Sequence, residues 1–170
     1  MSDKSFPTEY RPCVGLLVLN RDGHIWLGER IDARNDAEGL GTWWQMPQGG
    51  IDAGEDPTTA AMRELREETG ITSAEIIAET ADWHHYDFPA GFARRAWGGA
   101  YRGQKQKWFA LRFTGTDDEI DISSHDHDLD PEFGRWRWSA KTDLIDNVVD
   151  FKRNIYRAVL AEFDPLIVPA

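Results

Sequence analysis

The stretch from Gly49 to Ile71, GGIDAGEDPTTAAMRELREETGI, limits what this chain can fold into more than any other. A pair of glycines feeds a short acidic loop, and the loop feeds a helix with its own start and stop signals. Asp56 is a good N-cap, and Pro57 suits the first helical position, where an N–H has no intrahelical acceptor. Gly70 supplies the stop, because glycine enters the left-handed conformation freely. Between these caps Glu64, Glu67 and Glu68 stand at i, i+3 and i+4 and project from one face. Thr58, Met62, Leu65 and Thr69 are expected on the face that packs on a core. Three carboxylates on one turn repel one another. A hard divalent cation, Mg²⁺ or Mn²⁺, removes that conflict with oxygen ligands and retained water.

The bland reading of such a segment is a solvated, glutamate-rich surface helix. It fails here because the glycines, the arginine and both caps fall at set offsets. Gly49, then Glu55 after five residues, then Arg63-Glu64-Leu65-Arg66-Glu67-Glu68-Thr69-Gly70-Ile71 after seven more, resembles a complete Nudix box. The resemblance continues in Tyr10-Arg11-Pro12, WWQMPQGGID, Gly103 to Phe109, Pro131-Glu132-Phe133, Trp136-Arg137-Trp138 and Val149 to Arg153. These segments are similar to a branch containing bacterial RNA 5′-pyrophosphohydrolases and dinucleoside polyphosphate hydrolases. GEDPTTAAMRELREETGITSAEIIAE is especially close to the plant-type diadenosine tetraphosphate hydrolases. Similarity spans Tyr10 to Phe163.

At 170 residues the chain suits one domain, residues 1–170, with a short N-terminal tail over 1–9. The single cysteine, Cys13, heads an apolar run and reads as a small core residue. No apolar leader or membrane-length run is present, so a cytoplasmic protein without membrane contact is expected. The net charge of −11 argues against broad attraction to DNA or other nucleic acid. It is compatible with a phosphate substrate provided that a metal bridges the two.

Pattern places strands at Cys13–Leu19 and His24–Glu29, joined by the Asn20–Gly23 turn, and an extended run over Trp43–Gln48. A loop over Arg34–Gly41 separates them. After the helix come a strand over Ala74–His85, a long loop over Tyr86–Gln104 and a strand over Lys105–Thr114. An acidic loop over Asp117–Pro131, a strand over Arg135–Ser139, a short helical segment over Asp143–Val148 and a helix over Phe151–Phe163 follow. Strands flanking one helix with a second at the end give an α+β sandwich with a mixed sheet between helices. The resemblance implies the same: a Nudix-type α/β/α sandwich with a loop–helix–loop box.

The chemistry follows from the charge of a polyphosphate, which repels hydroxide unless cations neutralise it. Glu64, Glu67 and Glu68 are the metal ligands, with a backbone carbonyl near Gly49, where glycine suits a close approach. Glu67 or Glu68 also takes the proton of the attacking water. Glu55 and Arg63 form an orienting pair that fixes helix against loop, and Gly50 and Gly70 support the box. The resemblance adds Glu132 to the metal set, although a carboxylate after proline is ordinarily a turn residue. On the substrate side it points to Phe151 and Lys152, a ring for a base and a cation for phosphate, although Phe151 also starts the apolar stripe of the last helix and reads equally as core. Arg11, Lys105 and Lys107 are further phosphate candidates, and Tyr86 a second stacking one. Of the eight tryptophans, Trp43 and Trp44 are the expected exceptions to core packing. His84, His85, His125 and His127 are weak evidence for zinc.

The expected substrate is a nucleotide polyphosphate, a 5′-triphosphorylated RNA end with dinucleoside polyphosphates cleaved as well; the alternative is a dedicated diadenosine tetraphosphate hydrolase. The competing reading from a different class is a nucleotide-sensing module that kept the fold and lost catalysis. Such modules lose a helix carboxylate, and none is lost here.

Overall fold

The computed structural model describes residues 9–31, 43–89, 96–123 and 131–170. The expected loop Arg34–Gly41, His125, His127, and residues 90–95 and 124–130 lie outside the described residues. Eight strands and three helices run in the order β1 (Tyr10–Leu19), β2 (Ile25–Arg30), β3 (Trp44–Gln45), β4 (Gln48–Gly50), α1 (Pro57–Thr69), β5 (Ala74–Glu79), β6 (His84–Asp87), β7 (Gly103–Phe113), β8 (Phe133–Ser139), α2 (Leu144–Asn147) and α3 (Arg153–Phe163) among these residues.

The mixed sheet is built on β1. It pairs in parallel with β7 along its whole length, from Tyr10 opposite Gly103 to Leu19 opposite Arg112. On its other side the hairpin to β2 holds only at Leu19 and Ile25 before the strands splay apart. The chain from Trp43 to Gly50 fills this wedge. Trp44 and Gln45 pair with β2, the Leu16 N–H donates to the Pro47 carbonyl, and Gln48 to Gly50 pair with β1. The glycine pair at the head of the box is thereby a sheet strand, held against the strand carrying Arg11. β8 covers the outer edge of β2, while β5 and β6 together cover β7.

Side-chain alternation along β1 then sorts the core into two layers. Val14, Leu16 and Val18 pack with Ala60, Ala61 and Leu65 of α1. Leu17 and Leu19 pack with Ile155, Tyr156, Val159 and Phe163 of α3. The expected α/β/α sandwich is what the chain forms.

Several expected boundaries move. β1 starts at Tyr10 rather than Cys13. The Ile51 N–H donates to the Pro12 carbonyl, so the N–H that Pro12 lacks points to where β4 has already ended. The expected strand Ala74–His85 breaks in two, because Thr80 leaves the ladder. Its hydroxyl accepts from the Trp108 N–H and its own N–H donates to the Trp108 carbonyl. The long loop shrinks at both ends, since β6 runs to Asp87 and β7 begins at Gly103. Phe151 and Lys152 belong to a 3₁₀ turn over Asp150–Lys152, and the helix proper starts at Arg153. Trp44 is a core residue, only 9% exposed, with the Arg137 guanidinium 4.2 Å over its ring.

Cys13 is 1% exposed, and burial above all pushes its thiol up to about 11. At pH 8 the thiol is therefore protonated and shielded. A disulfide reagent at that pH is expected to label Cys13 only when denaturant is added. Stoichiometric labelling of the native protein within minutes would contradict this burial.

Candidate active site

Helix α1 is fixed by its ends before it is fixed by its core. The Asp56 carboxylate accepts the Thr58 and Thr59 N–H groups at 2.9 and 3.1 Å. Gly70 closes the helix at φ 73°, its N–H donating to the Arg66 carbonyl. The buried face comprises Ala60, Ala61, Leu65 and Thr69, and it also takes in Glu64. Thr58, expected inward, is exposed in the first turn, where its N–H donates to the Asp56 cap.

Arg63 ties this helix to the loop before it. Its Nε and Nη2 donate to the two Glu55 oxygens at 2.8 and 2.9 Å, a bidentate pair. Nη2 also donates to the Gly50 carbonyl at 2.8 Å. Nη1 reaches Glu64 at 2.8 Å and Glu67 at 3.1 Å. The Arg63 hydrogen bonds, with one from the Asp52 N–H, hold the Glu55 carboxyl down at about 2. Glu55 and Arg63 thus pair between loop and helix.

Glu64 lies flat against Gly49. A Cβ built on that glycine would sit 2.0 Å from the Glu64 carboxyl carbon, so no larger residue fits. Burial pushes Glu64 up to about 7, with Arg63 opposing and Glu67 assisting. Glu68 accepts the Gln48 N–H at 3.2 Å, and its carboxyl is pushed well above the ordinary range. Burial is the main cause, followed by the charges of Glu132 and Glu64. The loop-borne Glu132 is thereby brought to the helix carboxylates, its carbonyl accepting the Ile31 N–H at the end of β2.

Do these residues fit a divalent cation? Among the described residues no three His, Cys, Asp or Glu side chains already stand together as a ligand group. Arg63 Nη1 instead bridges Glu64 and Glu67. The donor chemistry does fit: Glu64 and Glu68 are crowded by burial and like charge, the conflict a hard cation relieves. Glu64, Glu67, Glu68, Glu132 and the Gly49 carbonyl could supply oxygen ligands. His84 and His85 are consecutive on β6 and project to opposite faces.

The sheet sorts the substrate-side candidates. Arg11 and Tyr86 stand opposite Gln104 on its two sides, so all three share the α3 face. Tyr86 and Phe151 bring their rings to 5.4 Å. Lys152, only 3% exposed, donates to Gln45 Oε1 at 3.1 Å. Arg11 reaches over Gly50, where a Cβ would lie 2.3 Å from its Nη2. Lys105 and Lys107 alternate to the opposite face, and Lys105 sits 5.4 Å over the Trp83 ring. Arg11, Tyr86, Phe151 and Lys152 therefore gather, and the two strand lysines do not join them. Sequence reasoning overlooked Gln45, Gln48, Gln104 and Gln106. The QKQK run places polar residues on both faces of a central strand, which was the available signal.

The NUDIX domain model matches residues 9–159 of the sequence. The chain belongs to the Nudix family. An RNA pyrophosphohydrolase of Rickettsia canadensis is 46% identical over 98% of this chain and 97% of its own length. One from Roseobacter denitrificans is 49% identical over 91% and 92%. Among solved structures, an Ap4A hydrolase from C. elegans aligns over 90% of this chain and 98% of its own at TM-score 0.59 and 19% identity. That last likeness is one of fold. The Nudix helix and its loop are the parts that the strong sequence signal had already located.

Proposed function

We propose that this Nudix chain is a metal-dependent RNA 5′-pyrophosphohydrolase. It removes pyrophosphate from 5′-triphosphorylated RNA ends and also cleaves dinucleoside polyphosphates. The observation that carries the reading is the identity of nearly half, over almost full length, to RNA pyrophosphohydrolases. The intact carboxylate set on α1 supports catalysis over a sensing role. No helix among the described residues is long and apolar enough to cross a membrane, and a cytoplasmic location is proposed.

In this proposal Glu64, Glu67, Glu68, Glu132 and the Gly49 carbonyl would hold Mg²⁺ or Mn²⁺, which when bound would neutralise phosphate oxygens and lower the pKa of water. Glu67 or Glu68 accepts the proton of the attacking water. Arg63, through Glu55 and Gly50, keeps the helix carboxylates at a fixed distance from the glycine strand. Arg11 and Lys152 hold the phosphate chain, and Tyr86 and Phe151 flank the base.

The test compares release of phosphate products from 5′-triphosphorylated RNA and from diadenosine tetraphosphate under the same Mg²⁺ concentration. Hydrolysis of both is expected, with the RNA end accepted whatever its 3′ extension. Rapid cleavage of the dinucleotide with untouched RNA would put the dedicated dinucleoside polyphosphate hydrolase first. Chelation is expected to abolish turnover while leaving the far-ultraviolet dichroism unchanged. The two-layer core does not depend on the cation, unlike that of a small zinc domain. Unfolding on chelation would make the metal structural and count against the hydrolase.

A further inference from the structure

Four polar side chains on the α3 face form a chain whose direction is set from inside the core. Trp108 is fully buried, and its indole N–H, which can only donate, reaches Gln106 Oε1 at 3.0 Å. That fixes which end of the Gln106 amide is oxygen. Gln106 is 1% exposed, and its Nε2 donates to Gln104 Oε1 at 3.0 Å and Gln48 Oε1 at 3.1 Å. One buried indole has therefore assigned three amides. The oxygens of Gln48 and Gln104 point inward and are used, and their NH₂ groups make no hydrogen bond among the described residues.

These two free donors have defined neighbours. Gln104 stands between Arg11 on β1 and Tyr86 on β6. Gln48 directly precedes Gly49, and its backbone N–H binds Glu68. The donors thus bracket the space between the helix carboxylates and the Arg11–Tyr86 side. An amide that could turn freely would offer an oxygen as readily as an N–H. Here turning either one would leave Gln106 Nε2 facing another donor and lose its hydrogen bond.

We propose that Trp108 is a positioning residue: through Gln106 it locks Gln48 and Gln104 as donors. The cleft is thereby selective for groups that only accept hydrogen bonds, namely the phosphoryl oxygens of the substrate chain. This rests on the functional reading above and adds the means by which this chain recognises phosphate without spending further positive charge. A base could also present acceptor oxygens, so the experiment separates the two sources.

The probes are inorganic imidodiphosphate with Mg²⁺, which resists hydrolysis and carries no base, and free guanosine and adenosine. Each is titrated calorimetrically into the wild type, Trp108→Phe, Gln106→Met and the double variant. Trp108→Phe and Gln106→Met are each expected to weaken imidodiphosphate binding about tenfold, the scale of a hydrogen bond to a charged group. Nucleoside binding should stay unchanged. Because the two residues act in series, the double variant should bind no worse than Gln106→Met alone. On triphosphorylated RNA the loss should fall in KM with kcat kept within about threefold. Unchanged imidodiphosphate affinity in Gln106→Met overturns the proposal even if Trp108→Phe folds poorly. So does a loss confined to the nucleosides, or one that multiplies in the double variant. Calorimetry reads binding alone, so a wild type that leaves RNA intact refutes the functional reading while these variants still decide this one.

Discussion

Glu68→Gln is expected to lose about three orders of magnitude in turnover and, in chelator, to melt at a higher temperature than the wild type. The two effects share one cause. Glu68 is held near Glu64 and Glu132 in a partly buried position that disfavours its charge. Replacing it with an amide of the same size removes the repulsion and leaves the acceptor for the Gln48 N–H. The same change removes a proposed metal ligand and base, and general-base contributions alone run to about 10²–10⁴-fold. Glu67→Gln should lose turnover comparably without the gain in melting temperature, because Glu67 already pairs with Arg63. Near-normal turnover in both variants under saturating Mg²⁺ would remove the site.

The sign of the pH effect follows from the same crowding. The Glu64 carboxyl rises from 4.5 to about 7 on folding, so its contribution to stability is fully present below pH 4.5. It is lost as pH climbs towards 7. Metal-free protein should therefore become less stable across that interval, and added Mg²⁺ should close the difference.

Arg63→Ala should cost about 2–3 kcal/mol, at the low end for breaking a buried ion pair because the guanidinium side chain is 22% exposed. For a domain of this size that is a fall of roughly 5–10 °C in Tm. The variant loses the bidentate clasp on Glu55, the bond to the Gly50 carbonyl and the only guanidinium bridging Glu64 and Glu67 among the described residues. Mg²⁺ should then raise the Tm of Arg63→Ala more than that of the wild type, since the cation is left alone to hold the carboxylates together. Arg63→Lys should restore little, because an ammonium cannot fork onto Glu55 and Gly50 at once. A melting temperature within 1–2 °C of the wild type would show that the clasp is not structural.

What was legible in the sequence was what is decided locally. Asp56, Pro57 and Gly70 bound α1 by interactions within a few residues, and the observed caps follow them. Glu64, Glu67 and Glu68 share a helix face by geometry alone. The missed features are decided at a distance. Thr80 interrupts an apparent strand because of a hydrogen bond to Trp108, a residue that no local window around Thr80 contains. Tyr10 joins β1 because β7 extends to Gly103 to pair with it. Lys152 reads from the sequence as a cation for phosphate, but not as buried, because Gln45, far away in sequence, supplies the acceptor that lets it lie inside. The glutamines of β7 went unassigned because single residues do not reveal that a tryptophan within the core sets their direction.

The parallel pairing of β1 with β7 also determines when the cleft can exist. Tyr10 meets Gly103 only after about ninety intervening residues have been brought into place, a closure whose entropy must be met before any contact rewards it. During synthesis the apolar run Val14 to Leu19 emerges early with only a partial hairpin to cover it. Arg11, Gln104 and Tyr86 come side by side only when that late strand inserts. The proposed phosphate-binding face is thus among the last features the nascent protein acquires, and until β7 arrives the first strand presents an open edge to other chains.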